Sequence, residues 1–148
     1  MIYVLVAAAI FIGDLFIKDY VERKFPDQGE QKKLKGFLRL RKHHNKGAFL
    51  NVGERKRQAV AVLSVLLTIL VTILFILSFG TKGNALLKTG LALLLGGAFS
   101  NTYDRLKRKY VVDYFSFGVK WKWLASIIFN ISDFGIIIGA LLAALSAA

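Results

Sequence analysis

The sequence predicts an all-α membrane protein with four transmembrane helices and a small sheet outside the membrane. The first observation behind this prediction is composition: 55% of the 148 residues are hydrophobic and the mean hydropathy is +0.53, which is too apolar for a water-soluble chain of this length. The second is charge patterning, because the formal net charge of +12 is concentrated between long apolar runs. At this length we expect one domain, residues 1–148.

Four apolar runs supply the predicted helices. They lie at about residues 1–17, 59–79, 85–101 and 124–148. The run 59–79 is the clearest, since it has no charge and would be ~31 Å long as a helix, the thickness of a bilayer core. No Lys or Arg precedes Lys18, which favours a retained first helix over a cleaved signal peptide. Trp121 and Trp123 suit a membrane interface at the start of the last helix.

A polar segment, residues 19–58, separates the first two apolar runs. Within it, residues 38–41 alternate between leucine and arginine, the period-two pattern of a strand with one apolar and one basic face. We therefore expect part of this segment to form a sheet on the membrane surface. His43 and His44 would point to opposite faces of that strand and are expected at the surface rather than on one metal ion. Gly47 would let backbone approach a ligand closely.

Acidic side chains lie within or beside the apolar runs. Asp133 lies about ten residues into the last run, which has no other charge. A charged side chain at membrane depth costs at least ~2.5 kcal/mol on insertion scales, so a retained acid there indicates a functional site. Asp113 is the candidate partner that could face it. Asp14 and Lys18 are four residues apart on one helical face, which fits either a solvated ion pair at the membrane boundary or a brace beneath a site.

Four crossings would bring the two polar loops together at one end of the helical bundle, with both termini at the other end. Eight polar residues fall at that loop end, a convergence that predicts one site: Asp14, Asn45, Asn101, Asp104, Arg105, Asp113, Asn130 and Asp133.

Two neighbouring aspartates are suited to peptide hydrolysis. They do not both ionise readily, so one keeps a proton while the other takes a proton from the water molecule that attacks the substrate carbonyl. The alternative is that Asp113 and Asp133 accept hydrogen bonds from Asn130 or Arg105 and only brace the helices. A third interpretation, from another class, is a proton-relay or transport protein. That function would need polar residues across the bilayer, whereas residues 59–79 and 134–148 offer only hydroxyls.

Composition excludes several other kinds of site. The chain has no cysteine, so a thiolate nucleophile, a disulfide and a cysteine-ligated metal are all excluded. Because the basic residues flank apolar runs, anionic lipid headgroups are the expected contact of the positive charge, and nucleic acid is not expected.

Three segments of the second half, GGAFSNTYDR, VVDY and FNISD, resemble in order and separation the motifs of the lipoprotein signal peptidases (signal peptidase II), a family of bacterial intramembrane aspartyl proteases. Asp14 with Lys18, and the stretch from Asn45 to Ala48, are similar to two further motifs of that family. The resemblance covers nearly the whole chain. It implies four transmembrane helices with a β-cradle at about residues 19–58, and cleavage of a prolipoprotein just before its lipid-modified cysteine.

The resemblance also assigns roles to residues, with neither a metal ion nor a cofactor expected. By motif, Asp113 and Asp133 would be the catalytic pair. The substrate would be positioned by Asn45, Asn101, Arg105 and Asn130, and the supporting residues would be Asp14, Lys18, Gly47 and Asp104. A catalytically silent relative that binds lipidated peptides is a further alternative, against which the intact aspartates argue.

This chain departs from the family pattern at two places. Phe49 follows Ala48 directly, one small residue short of the usual motif. Ser132 stands where alanine is usual, and its hydroxyl could add a hydrogen bond beside Asp133.

Charge and resemblance give opposite orientations in the membrane. Of the 21 Lys and Arg residues, 13 lie in residues 18–58 and 6 in residues 105–122, so the positive-inside rule would place the loop end toward the cytoplasm. The resemblance implies a bacterial cytoplasmic membrane protein with cytoplasmic termini and its active site toward the outer face. Binding of anionic outer-leaflet lipid by the basic face around Arg39, Arg41 and Lys42 would reconcile the two.

Overall fold

The computed structural model describes residues 1–26, 29–47, 57–80 and 82–146, and it is mostly helical with one small antiparallel sheet. In chain order the elements are α1 (Ile2–Lys24), β1 (Gln31–Lys33), a 3₁₀ turn (Leu34–Gly36), β2 (Leu38–Asn45), α2 (Arg57–Ser78), α3 (Ala85–Lys107), β3 (Val111–Phe117), α4 (Lys122–Ser126) and α5 (Ile131–Leu145). The departure at Ala48 and Phe49 lies outside the described residues.

Helix α3 is the centre of the bundle and packs against α1, α2 and α5. Glycines allow its backbone to approach its neighbours closely. A Cβ atom at Gly97 would lie 2.4 Å from the carbonyl oxygen of Ser132 in α5, and one at Gly96 would lie 2.6 Å from that of Ala7 in α1. Only glycine fits at such crossings, so this glycine pair sets how closely α3 packs against α1 and α5.

Strand β2 confirms the strand predicted from residues 38–41, and the sheet has the order β1-β2-β3. The antiparallel register of β2 with β3 sets His43 opposite Asp113 and Asn45 opposite Val111. Strand β3 was not predicted, because the chain between the third and fourth apolar runs was expected to be a polar loop. Residues 111–114 of β3 are all buried, and a strand covered on both faces has no alternating pattern to detect.

The last helix begins later than predicted. Helix α4 ends at Ser126, and α5 begins at Ile131 with Asn130 as its N-cap. The interruption has a physical cause: Phe129 leaves the helical path to exchange backbone hydrogen bonds with Phe115 at the edge of β3. Asp133 therefore lies in the first turn of α5, not about ten residues into a helix. Helix α3 likewise continues to Lys107, past the predicted end at residue 101.

One helix of the described part of the chain, α2 (Arg57–Ser78), is both long and apolar enough to cross a membrane, and α5 is apolar but shorter. Polar residues interrupt the apolar character of α1 and α3, and these are the residues that build the site described next.

Candidate active site

A cavity of about 850 Å³ opens between α2, α3, α5 and the sheet. Most of its wall is apolar, with side chains such as Leu67, Val71 and Ile136. The predicted site residues on the wall are Asn45, Asn101, Arg105, Asp113 and Asp133. Two carboxylates, two amides and one guanidinium therefore meet at one end of an otherwise apolar space, which is the arrangement expected of a site for an amphipathic ligand.

The Asp113 carboxylate is held by two neutral amide groups. Asn130 Nδ2 donates to Asp113 Oδ1 over 2.7 Å, and Asn45 Nδ2 donates to Asp113 Oδ2 over 3.0 Å. Asn130 is fully buried and Asp113 is 3% exposed. One asparagine comes from the start of α5 and the other from the end of β2, so the carboxylate is held from two elements.

The Asp133 carboxylate is held in the same manner. Asn101 Nδ2 donates to Asp133 Oδ1 over 3.0 Å, and the backbone N–H of Asn130 donates to Asp133 Oδ2 over 3.0 Å. Asn130 Oδ1 in turn accepts from the backbone N–H of Asp133, which completes a capping box at the start of α5. Asn130 thus contacts both aspartates and fixes them relative to each other.

The surroundings of Asp113 favour its protonated form. Burial raises the pKa of the Asp113 carboxyl to about 7, with a further contribution from the negative charge of Asp133. The hydrogen bonds from Asn45 and Asn130 act in the opposite direction. At neutral pH this carboxyl therefore exchanges readily between its protonated and ionised forms, as a general acid or base must.

Arg105 supplies a positive charge beside the two aspartates. Its Nη1 donates to the carbonyl oxygen of Asn101 over 3.3 Å, and its Nη2 donates to that of Gly47 over 3.2 Å. Asn45 Oδ1 accepts from the backbone N–H of Gly47 over 3.1 Å. Gly47 therefore holds the end of β2 against Arg105 on the cavity wall. Its backbone lies close to the site, as expected from the sequence.

Asp14 and Lys18 lie behind the cavity and not on its wall. Their side chains are fully buried and 2.7 Å apart, so the solvated ion pair is excluded. Lys18 Nζ also lies 3.1 Å from Asp104 Oδ2 and donates to Asn101 Oδ1 over 2.9 Å. The lysine thereby orients the Asn101 amide, whose other end donates to Asp133. Asp104 also bonds Arg108 and the backbone N–H of Val112.

Three hydroxyl residues of this network were not singled out as site residues from the sequence. Ser100, Tyr114 and Ser132 all donate to the buried Asp14. The hydroxyl of Ser132 adds a hydrogen bond beside Asp133, as the sequence allowed, and its acceptor is Asp14. Each of the three directly neighbours a predicted site residue in the chain, which is a signal the sequence carried.

The two adjacent histidines separate as the strand geometry requires. His43 is exposed at the cavity rim, opposite Asp113. His44 faces the other way, where its ring is stacked on Tyr110 and its Nε2 lies 2.7 Å from Glu22 Oε1. Among the described residues, no cluster of three or more His, Cys, Asp or Glu side chains could hold a metal ion.

Comparison with known proteins identifies the family. A family model described as signal peptidase (SPase) II matches residues 6–148. The chain belongs to this family of proteases. The lipoprotein signal peptidase of Lactobacillus johnsonii is 32% identical over 141 residues, which cover 95% of this chain and 88% of the relative. That of Mesorhizobium japonicum is 33% identical over 145 residues, which cover 95% and 81% of the two chains.

Solved structures support the fold. A bacterial membrane enzyme determined at 2.3 Å resolution matches with a TM-score of 0.82 and 24% identity, over 98% of this chain and 86% of the other. A second, at 1.9 Å resolution, matches with a TM-score of 0.78 and 24% identity, over 98% and 91%. The prediction of the family from the sequence motifs is confirmed by the family model and by these relatives.

Proposed function

We propose that this signal peptidase II family member is a membrane-embedded aspartic endopeptidase. It cleaves the signal peptide from a prolipoprotein just before the diacylglyceryl-modified cysteine. The observation that carries the proposal is the pair Asp113 and Asp133 on one cavity wall, each held by two neutral donors and both contacting Asn130. Residues 1–148 act as one peptidase domain.

The hydrolysis follows from two carboxyls that share one proton. One carboxyl is ionised and takes a proton from a water molecule, whose oxygen attacks the scissile carbonyl carbon. The other carboxyl donates its proton to the carbonyl oxygen and so stabilises the tetrahedral intermediate. A proton then passes to the leaving nitrogen as the C–N bond breaks. The neutral amides of Asn45, Asn101 and Asn130 suit this exchange, because they hold the carboxylates without a fixed positive charge that would keep both ionised.

The rest of the cavity suits an amphipathic substrate. Arg105 and Asn45 lie on the wall beside the aspartates and position the peptide backbone next to the scissile bond. The apolar wall from α2 and α5 accommodates the acyl chains of the lipid-modified cysteine. Asn130, Asp14, Lys18 and Asp104 act on the aspartates and not on the substrate, because they lie behind the cavity wall.

The test is cleavage of a diacylglyceryl-modified prolipoprotein, followed by gel shift. Asp113→Asn and Asp133→Asn each lose roughly 10²–10⁴-fold in rate, the range for removal of a general acid or base. Asp19→Asn is the matched control, since Asp19 pairs with Arg108 away from the cavity and is half-exposed; its rate stays within twofold of wild type. Binding of the lipopeptide by wild-type protein without cleavage would instead support the silent relative.

Helices α1, α2, α3 and α5 cross the bilayer, with both termini cytoplasmic and the cavity end toward the outer face of a bacterial cytoplasmic membrane. Basic residues of β2, including Arg39 and Arg41, then contact anionic lipid headgroups of the outer leaflet, which offsets the charge bias against this orientation. Lys42 pairs with Glu22 and has a side chain only 9% exposed, so it is not one of these contacts. An accessibility reporter inserted at Gln28 is expected to react with an impermeant reagent from outside the cell. Reaction from the cytoplasmic side only would contradict this orientation.

A further inference from the structure

The carboxylate of Asp14, which is 1% exposed, lies outside the cavity and contacts side chains from four elements of the fold. Its Oδ2 lies 2.7 Å from Lys18 Nζ and accepts hydrogen bonds from Ser100 over 2.6 Å and from Ser132 over 2.5 Å. Its Oδ1 accepts from the Tyr114 hydroxyl over 2.8 Å. The four donors come from α1, α3, α5 and β3. Strand β3 and helix α5 carry the two aspartates of the dyad, and α3 carries Asn101, a donor to Asp133. One carboxylate therefore joins all of these elements.

The three hydroxyl donors to Asp14 are direct chain neighbours of the residues that form the site. The neighbouring pairs are Ser100 with Asn101, Tyr114 with Asp113, and Ser132 with Asp133. A backbone shift at any of these hydroxyl residues therefore also shifts the adjacent site residue, since only one peptide unit separates the two Cα atoms.

Tyr114 makes a second link between the elements that carry the two aspartates. Its hydroxyl oxygen accepts from the backbone N–H of Ile131 over 3.0 Å, one of the N–H groups at the start of a helix that have no partner within that helix. The Tyr114 hydroxyl thus joins β3 to the first turn of α5 directly, and it joins both to Asp14. Ser132 makes the corresponding link from α5.

We infer that Tyr114 and Ser132 are positioning residues, whose hydroxyl groups on Asp14 set the separation and alignment of the Asp113 and Asp133 carboxyls. Asp113 lies on a strand and Asp133 on a helix, and α4 with its flanking loop lies between them in the chain. Asn130 remains as the direct bridge between the two carboxyls. Without these hydroxyls the elements on either side of that bridge are held less firmly, so the carboxyls move apart in the direction that their repulsion favours.

This relaxation has a defined signature. Two carboxyls that move apart repel each other less, so the higher of the two apparent pKa values of the dyad falls. The alkaline limb of the pH–rate profile then moves to lower pH. A purely structural contribution would lower the unfolding temperature without moving that limb.

The kinetic test rests on the proposed function and compares hydroxyl deletions in purified protein acting on a diacylglyceryl-modified prolipoprotein. Ser132→Ala is expected to lower kcat about three- to tenfold, the equivalent of one net hydrogen bond. Tyr114→Phe, which loses two hydrogen bonds, has the larger effect. KM stays within twofold for both variants, and the alkaline limb moves to lower pH. The proposal is overturned if Ser132→Ala has the kcat of wild type, or if the alkaline limb of its pH–rate profile lies at the wild-type pH.

Matched controls separate positioning from loss of a buried hydroxyl as such. Ser116 is fully buried in β3, and its hydroxyl has no hydrogen-bond partner among the described residues, so Ser116→Ala is expected to keep both kcat and the limb. Tyr103, which is 42% exposed, gives the control Tyr103→Phe. Equal effects in controls and test variants would overturn the proposal.

A readout without substrate keeps this inference distinct from the proposed function. The titration of Asp113 is followed by ¹³C NMR of carboxyl-labelled aspartate, and its signal is assigned with Asp113→Asn. The midpoint of this titration is expected to move to lower pH in Ser132→Ala and not in Ser116→Ala. An unmoved titration refutes the positioning role even if the wild type cleaves. A moved titration supports it even if the wild type does not cleave, in which case only the proposed function fails.

Discussion

Two pairs of buried aspartates in this protein differ in what holds them. Asp113 and Asp133 line the cavity, and their hydrogen-bond donors among the described residues are amide groups of Asn45, Asn101 and Asn130. Asp14 and Asp104 lie behind the cavity, and both contact the ammonium group of Lys18, which is fully buried. The two pairs are linked, because Asn101 accepts from Lys18 and donates to Asp133.

This difference in donors separates a reactive pair from a supporting pair. A buried carboxylate with a cation at contact distance stays ionised, because the opposite charge offsets the loss of hydration. A buried carboxyl held by neutral amides keeps access to its protonated form, because the amides add no positive charge; for Asp113, burial and then the negative charge of Asp133 raise the pKa to about 7. The same residue type thus serves two roles within one site.

The largest effect on the difference between the two aspartate pairs is expected when the positive charge of Lys18 is removed. Lys18→Met leaves Asp14 without its only cationic contact among those described, and it costs about 3–5 kcal/mol of stability, the range for a broken buried ion pair. Asn101 also loses the donor that orients it, so cleavage falls as well. Thermal unfolding in detergent, followed by tryptophan fluorescence, measures the loss.

Two further variants sharpen this prediction. Lys107→Met removes an exposed lysine of the same helix that carries Asn101, α3, and is expected to leave the unfolding temperature unchanged. Asp14→Asn combined with Lys18→Met removes both charges and recovers part of the lost stability. A double variant less stable than Lys18→Met alone would contradict the ion-pair explanation.

A smaller effect on stability and cleavage is expected when pH changes the protonation of the reactive pair. The Asp113 carboxyl has a pKa of about 7 in the folded protein against 3.8 ordinarily, so between these values the folded state binds more protons than the unfolded state. The free energy of unfolding therefore falls as pH rises through this window. Cleavage declines above about pH 7, when the shared proton is lost. Unfolding temperature and cleavage rate measured from pH 4 to 9 check both trends.

Asp113→Asn provides the control for the pH prediction. The variant has no carboxyl to titrate at this position, so its unfolding temperature changes less between pH 4 and 7 than that of wild type. A wild-type rate that is constant from pH 6 to 9 would show that the dyad does not depend on a proton shared in this range.

Much of the site could be predicted from the chain because its residues occur in short motifs. FNISD holds Asn130 and Asp133 within one turn, and the capping box that joins them is a local interaction. Asp14 and Lys18 are likewise within one turn of α1. The strand at Val111–Phe117 was missed because both of its faces are covered, and the late start of α5 was missed because Phe129 bonds a distant strand edge.

The sequence by itself determined the class of protein, the family, the strand β2 and the aspartates at the loop end, because composition, period and motif are local properties. Only the tertiary structure decided which donors from distant parts of the chain each aspartate receives. Lys18 reaches Asn101 across 83 positions, and Ser132 reaches Asp14 across 118. Such pairings depend on how closely α1, α3 and α5 pack, which the glycines of α3 permit and no local pattern specifies.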